Sequence, residues 1–535
     1  MKNKFSHYGI MIDNSRNAVM KPETTKKMID ILEKLGYNTL MLYTEDTYEV
    51  NNQPYFGYLR GRYSKEEMKD MDAYAKEHHV ELIPCIQTLA HLNALMRWPH
   101  YNEICDCNDI LCAGEDKVYE LVDDMFATIH ECFTSRIVNI GMDEAHMVGL
   151  GKYLDKHGYC DRMKILCTHL ARVAEIAKKY EFTLCMWSDM FFRITGGDYY
   201  DTGDVDPSVA ELIPDNVKLI YWDYYATEKL HYDGMIRKHT NLVDDIWFAG
   251  GLWSWIGFAP RNQHSLRVGI PAMQSCVEHG VKDIIFTIWG DNGGECSRFS
   301  VLPAMFYVAC LGKGITDERE IKRQFEEMFG IAFDDFMLVD LLDGPNGRTD
   351  GVVSADKYNF YSDCFLGVTD RNVHPEDARG YEEATKKLKK LTENEEWGWL
   401  FETLYRLCEV NAVKCDLGVR TRKAYQAGDR EALRKLVSDY ELVLERMERF
   451  YEAFERQWMM ENKPHGFDVQ DIRIGGAIRR VTHCKKRLEQ YLAGELDVIA
   501  ELEEQLLDVE GVGANTDGQP ILNIKWNELC TINVL

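Results

Sequence analysis

Between residues 7 and about 310, short apolar runs alternate with longer amphipathic ones, and that alternation leaves the chain few folds to choose from. The apolar runs lie at 7–12, 37–43, 80–86, 136–140, 182–187, 217–222, 244–249 and 283–288. Each is short, nearly continuous in its apolar character and bounded by polar residues, as expected of strands covered on both faces. The segments between them have helical periodicity. Pro22 stands where its missing N–H costs nothing, Met28, Ile31, Leu32 and Leu35 share one stripe, and Gly36 ends the helix. Ser64-Lys65-Glu66-Glu67 is a capping box ahead of Met68, Met71 and Ala75. Further helices are predicted over 115–132, 160–179, 229–239, 263–279 and 298–311, with a short one between the fifth and sixth strands. Eight such strands, each followed by a helix, predict an α/β fold, a (β/α)8 TIM barrel, over residues 1–312. An open doubly wound sheet is the competitor, but no glycine-rich dinucleotide turn follows the first strand.

Past residue 313 the strand signal fades. Segments 316–330, 375–392, 395–425, 429–460 and 473–507 are helical in period and dense in Glu, Lys and Arg. They predict a C-terminal helical domain over 313–535 with a short strand-prone tail near 520–535. The net charge of −26, with no basic stripe to interrupt it, disfavours a nucleic-acid partner. No apolar stretch is long enough to span a bilayer, and the first strand begins with no signal-peptide core before it. Many of the sixteen cysteines, such as Cys85, Cys132, Cys167, Cys185 and Cys310, lie inside apolar runs, so a reducing cytoplasm is the expected compartment. Cys105, Cys107 and Cys112 cluster, but C-x-C-x4-C has no paired second half and is not read as a metal site. No cofactor is expected.

In a parallel barrel the chemistry sits where strands end. Those positions hold Asp13 and Arg16, Glu45 and Asp46, His91, Asp143 and Glu144, Trp187 and Asp189, Trp222, Asp223, Tyr224 and Tyr225, Trp253 and Trp255, and finally Trp289, Asp291 and Glu295. Indoles beside carboxylates and an arginine suit a sugar, whose C–H face stacks on the ring while its hydroxyls take charge-assisted hydrogen bonds. Within Gly141-Met142-Asp143-Glu144-Ala145 two adjacent carboxylates leave a buried strand. They either cap the next segment or face a cleft as acid–base groups. A retaining glycosidase needs a second carboxylate about 5–5.5 Å from its acid, and the run from Phe248 to Trp255 offers none. The nucleophile is therefore Asp223 or Asp291, or it belongs to the substrate as a 2-acetamido group.

Taken together, these residues resemble glycoside hydrolase family 20, the β-N-acetylhexosaminidases. Met11-Ile12-Asp13-Asn14-Ser15-Arg16 resembles the family's L-D-x-x-R-H, and Tyr43-Thr44-Glu45-Asp46 its L-T-D-D. Tyr63-Ser64 through Ala75, then Val80-Glu81-Leu82-Ile83-Pro84, is similar to Y-T-x-x-E…YA…I-E-V-I-P. His91 falls near the histidine after strand three, Ile140-Gly141-Met142-Asp143-Glu144 resembles G-G-D-E, and Trp289-Gly290-Asp291 resembles W-G-E. The sequence departs from the family in having Met142 for a glycine, Asp291 for Glu, and no clear Trp-Tyr-x-Asp after strand seven. The form expected from the resemblance is one without the family's accessory N-terminal domain.

The resemblance implies an exo-acting, retaining, substrate-assisted hydrolase of terminal β-linked GlcNAc or GalNAc, acting on small oligosaccharides or glycan-derived substrates. Glu144 is then the general acid. Asp143 orients the acetamide, and like-charge repulsion separates the two pKa values. Trp187, Trp222, Trp253 and Trp289 wall the pocket, Arg16 and Asp291 hold the sugar's far end, and Tyr224 or Tyr225 reaches the acetamide carbonyl. His91 and Asp46 support the pair. The alternatives are a two-carboxylate β-glycosidase with Glu144 as acid, or a sugar-binding barrel without catalysis. The polar stretch 458–476 is read as an interhelical loop, or as one reaching a pocket, its own or a homodimer mate's.

Overall fold

A computed structural model describes residues 5–194, 197–203, 206–345, 354–519 and 526–529. The chain forms two compact units. The first comprises Met1–Leu252, Ser265–Trp289 and Ala304–Ile321, and the second Trp253–His264, Gly290–Pro303 and Lys322–Leu535.

The first unit is built on a closed barrel of eight parallel strands. They are β1 (His7–Asp13), β2 (Thr39–Glu45), β3 (Glu81–Ile86), β4 (Ile137–Asn139), β5 (Thr183–Trp187), β6 (Val217–Trp222), β7 (Ile246–Gly251) and β8 (Asp283–Ile288). Strands follow one another around the ring in chain order, and β1 closes on β8 with Ile10 opposite Phe286. Every residue of β2, β7 and β8 is buried, which is why these strands read as continuous apolar runs. The seventh starts at Ile246 and not at 244, because Asp244 and Asp245 stay exposed. The fourth shrinks to three residues, with Asn139 opposite Cys85 on one side and Cys185 on the other. The β2–β3 register slips between Tyr43 and Glu45, and such an irregularity re-aims the side chains after it.

Helix termini follow the sequence signals closely. The helix Pro22–Leu35 ends on Gly36 at φ 76°, where the Gly36 N–H donates to Glu33 O and the Tyr37 N–H to Leu32 O. In the helix Lys65–Glu77, Ser64 Oγ accepts from Glu67 N at 3.1 Å, while Glu67 Oε2 accepts from Ser64 N at 2.8 Å. Among the described residues between β5 and β6 lie the short helix Asp189–Arg193 and a 3-10 turn, Pro207–Leu212.

The second unit is mainly helical. The segment predicted as one helix over 395–425 is two, Gly398–Lys414 and Leu417–Gln426. Arg430–Glu461 is followed by Phe467–Ala493, which begins six residues before the predicted start at 473. The polar stretch 458–476 therefore contracts to a connection over 462–466. Gly475 and Gly476 lie inside a helix, where a Cβ at either would meet nothing within 4 Å. Of the tail predicted near 520–535, residues 520–525 and 530–535 lie outside the described residues, and Trp526–Leu529 is helical.

Candidate active site

The first unit collects its charged side chains at the C-terminal ends of β1 to β5. At the end of β1, Asp13 Oδ1 accepts from Ser15 N and Ser15 Oγ, both at 2.8 Å, and its Oδ2 from Arg16 Nη1 at 3.0 Å. The Arg16 guanidinium lies 3.4 Å from Glu45 Oε1, 4.8 Å from the Tyr43 ring centre and 5.0 Å from that of Trp289. A carboxylate on each side and two aromatic faces fix its fork in one orientation.

Gln87, the first residue past β3, connects this arginine cluster to the acidic pair. Its Nε2 donates to Tyr43 Oη at 3.0 Å and to Asp143 Oδ1 at 2.8 Å, and its Oε1 accepts from Met142 N at 3.1 Å. Tyr43 in turn donates to Glu45 at 3.0 Å. A Cβ on Gly141 would lie 2.0 Å from Gln87 Oε1, so that position requires glycine for close approach as well as for its φ of 72°. On the other side, His91 Nε2 lies 3.1 Å from Asp143 Oδ2 and 3.7 Å from Glu144 Oε2. Positive φ recurs at Glu45 (40°), His91 (56°), Met142 (67°) and Glu144 (52°). Non-glycine residues held there store strain, and these four stand at the strand ends that carry the acidic pair and its partners. Met142, standing where the family has glycine, takes the left-handed backbone that glycine adopts without strain.

A small antiparallel hairpin, Cys105–Cys107 with Ile110–Leu111, braces the loops on both sides. Asp109 accepts from His91 N at 3.0 Å, and Asp106 accepts from Gly149 N and Tyr153 N, each at 2.8 Å. Asp189 supports the pair from β5, its Oδ2 accepting from Glu144 N at 3.1 Å.

The two acids occupy different environments, the Asp143 side chain being 13% exposed and that of Glu144 45%. Burial alone would raise the Asp143 pKa. The charge and contact of His91 and the hydrogen bond from Gln87 outweigh it and hold this carboxyl below its ordinary value. Burial would lower His91, yet the facing Asp143 carboxylate lifts it to about 9. The His91 contribution to stability is fully present below the unfolded value of 6.5 and is lost as pH rises through about 9. The Asp143 contribution is present above 3.8 and is lost as pH falls. The gap in unfolding midpoint between the native protein and His91→Ala should therefore be widest between about pH 4 and 6.5 and close toward pH 9 in thermal melts.

Asp189 moves the other way. Burial first, then the Asp143 charge, raises it from 3.8 to about 7. Its ionised form burdens the fold increasingly from pH 4 to 7, and fully above that. Asp189→Asn should raise the melting midpoint at pH 8 and converge with the native protein only below about pH 4.

An aromatic wall stands beside these groups. Trp289 Nε1 donates to Tyr224 Oη at 3.0 Å, its ring meets Tyr43 edge-on at 4.8 Å, and Trp187 lies 5.9 Å from it. Trp222 stacks between Tyr199 at 4.9 Å and Tyr224 at 5.2 Å, while Tyr225 is 46% exposed. Trp253 and Asp291 belong to the second unit. Trp253 is fully buried against Trp255 and His264, and Asp291 opens a 3-10 turn.

One expected support is corrected. Asp46 does not hold the pair: its Oδ1 lies 3.2 Å from Arg60 Nη2, because Arg60 folds back over the β2 loop to Asp46 and Ser15 O. Gln87 and Asp189 hold the pair together with His91. Gln87 gave no sequence signal beyond a polar residue at the end of an apolar run, and Asp189 was visible only as a strand-end carboxylate. Asp223, a candidate nucleophile, is buried and occupied. It accepts from Tyr221 Oη (2.9 Å), Tyr225 N (2.9 Å) and Ala226 N (3.1 Å), and faces His231 at 3.1 Å.

A closed parallel barrel with paired acids, an arginine and stacked indoles at its strand ends has the architecture of a glycoside hydrolase. Residues 5–235 match the model of the glycosyl hydrolase family 20 catalytic domain, and residues 334–520 that of the Glycoside Hydrolase 20C C-terminal domain. The chain belongs to glycoside hydrolase family 20. It is 24% identical over 272 residues to Hexosaminidase D of Bos taurus, covering 48% of this chain and 71% of that protein. To Hexosaminidase D of Homo sapiens it is 24% identical over 345 residues, 59% of this chain and 68% of that one. A solved β-N-acetylhexosaminidase from Bacteroides fragilis aligns with a TM-score of 0.48 at 18% identity, over 61% of this chain and 70% of its own.

Proposed function

We propose that this chain removes terminal, non-reducing, β-linked N-acetylhexosamine with retention, using the substrate's own 2-acetamido group as nucleophile. Glu144, half exposed, protonates the departing oxygen and then activates water. Asp143, held as a carboxylate by His91 and Gln87, accepts the acetamide N–H and stabilises the positive oxazolinium-like intermediate. Arg16 binds ring hydroxyls, and Trp187, Trp222 and Trp289 wall the sugar with Tyr224 and Tyr225 beside them.

The observation that carries this reading is the asymmetry of the pair. The inner acid accepts a hydrogen bond from Gln87 and faces the His91 ring at 3.1 Å, both of which favour its charge, while the outer acid keeps its side chain toward solvent. Asp223, engaged by Tyr221, by its own loop and by His231, is disfavoured as the nucleophile of the two-carboxylate alternative, which leaves Asp291 as its other candidate. Family membership and the hexosaminidase relatives support the choice of sugar. Free thiols at all fifteen described cysteines suit a reducing compartment. Proton NMR of the first-formed sugar from an aryl β-N-acetylglucosaminide tests the stereochemistry: the β-anomer should appear first and mutarotate later. Initial α-anomer would refute retention.

A further inference from the structure

The loops after β2 and β3 carry aromatic side chains used by neither the barrel core nor the acidic pair. Tyr55 and Tyr58 are 41% and 44% exposed, and neighbouring Leu59 is 68% exposed. The Tyr55 ring lies 6.1 Å from Tyr58, 5.7 Å from Trp98 and 5.4 Å from His100, and Tyr58 lies 5.4 Å from Trp98. Exposed rings gathered in this way mark a binding face. Beside them, sharing His100, opens a cavity of about 520 Å³ whose walls include Glu103, Glu120, Asp123, Asp124 and Lys117. Its floor is already ordered: the Asn52 and Gln53 amides each donate to Asp124 at 2.9 Å, and Tyr101 donates to Gln53 at 3.2 Å.

We propose that this patch is a second carbohydrate-binding site. One residue of a neutral oligosaccharide stacks on Tyr55 and Trp98, while the cavity receives hydroxyls of the next. The same chemistry that suits indoles and carboxylates to sugar at Asp143 and Glu144 is repeated here without an acid–base pair. Lys117 pairs with Glu103 and Lys179 lies 3.3 Å from Asp123, so Glu120 and Asp124 leave the cavity net negative, which disfavours anionic glycans. A protein partner would favour a patch centre depleted of charge, and the acidic cavity is the opposite.

The site rests on the glycosidase reading for its choice of ligand, so the test separates the two. Binding of N-acetylchitotetraose to full-length Glu144→Gln is measured by calorimetry, alone and combined with Tyr55→Ala or Trp98→Ala. Rates on the tetraose and on an aryl β-N-acetylglucosaminide are measured with Glu144 intact. Either patch substitution should weaken tetraose binding and raise its KM about tenfold, leaving the aryl rate within twofold, and Tyr55→Trp should restore binding. If Trp98→Ala fails to fold, the exposed Tyr55→Ala decides. Unchanged tetraose affinity in Tyr55→Ala overturns the proposal, as does tetraose binding no tighter than N-acetylglucosamine in Glu144→Gln. It is also overturned if Tyr55→Ala shifts oligomeric state by light scattering while sugar affinity holds. Failure of the unsubstituted protein to cleave the aryl substrate would instead refute the glycosidase reading.

Discussion

Glu144→Gln should lower kcat on an aryl β-N-acetylglucosaminide by about 10²–10⁴-fold, the contribution typical of a positioned acid–base group. The substitution keeps size and polarity and removes only the proton that is delivered. Glu144 carries its side chain half in solvent, so the fold should not register the change, and the melting midpoint should stay close to native. The loss should be smaller for a substrate with a strongly acidic leaving group, such as a dinitrophenol, which departs with little protonation. A uniform loss across leaving groups would assign Glu144 some other role.

Asp143→Asn should also reduce kcat, by about 10²–10³-fold, with little change in KM, because the lost charge matters most to the positive intermediate. Gln87 can still donate to the asparagine oxygen. His91, however, loses the carboxylate that lifts it to about 9 against the effect of burial, so its titration followed by NMR should fall to 6.5 or below. Lost turnover with an unmoved His91 titration would show that the two residues do not share the ion pair seen here at 3.1 Å.

The barrel was legible because its strands are covered on both faces, which erases in–out alternation and leaves apolar runs such as Leu40–Tyr43. The acidic pair was legible because two carboxylates cannot stay inside such a run. Its supports were harder to see. Gln87 and Asp143 lie 56 positions apart and meet only because β3 pairs with β4, Cys85 opposite Asn139. Asp46 looked the better partner, but the slip after Tyr43 turns Glu45 toward Arg16 and leaves Asp46 with Arg60. In the second unit, helical periodicity ran across Cys415 and Asp416, and Gly418 lies inside the second helix and not at the break. Gly475-Gly476 suggested a turn, yet both face open space on a helix that packs through Phe467, Gln470 and Ile474.

The decisive measurement compares initial rates on two aryl glycosides that differ only at C2, one a β-N-acetylglucosaminide and the other a β-glucoside. If the substrate supplies the nucleophile, only the first is hydrolysed appreciably, and the second stays near background at equal enzyme and substrate concentrations. Comparable rates on both would mean that a protein carboxylate attacks the sugar, and the role given to Asp143 would be wrong.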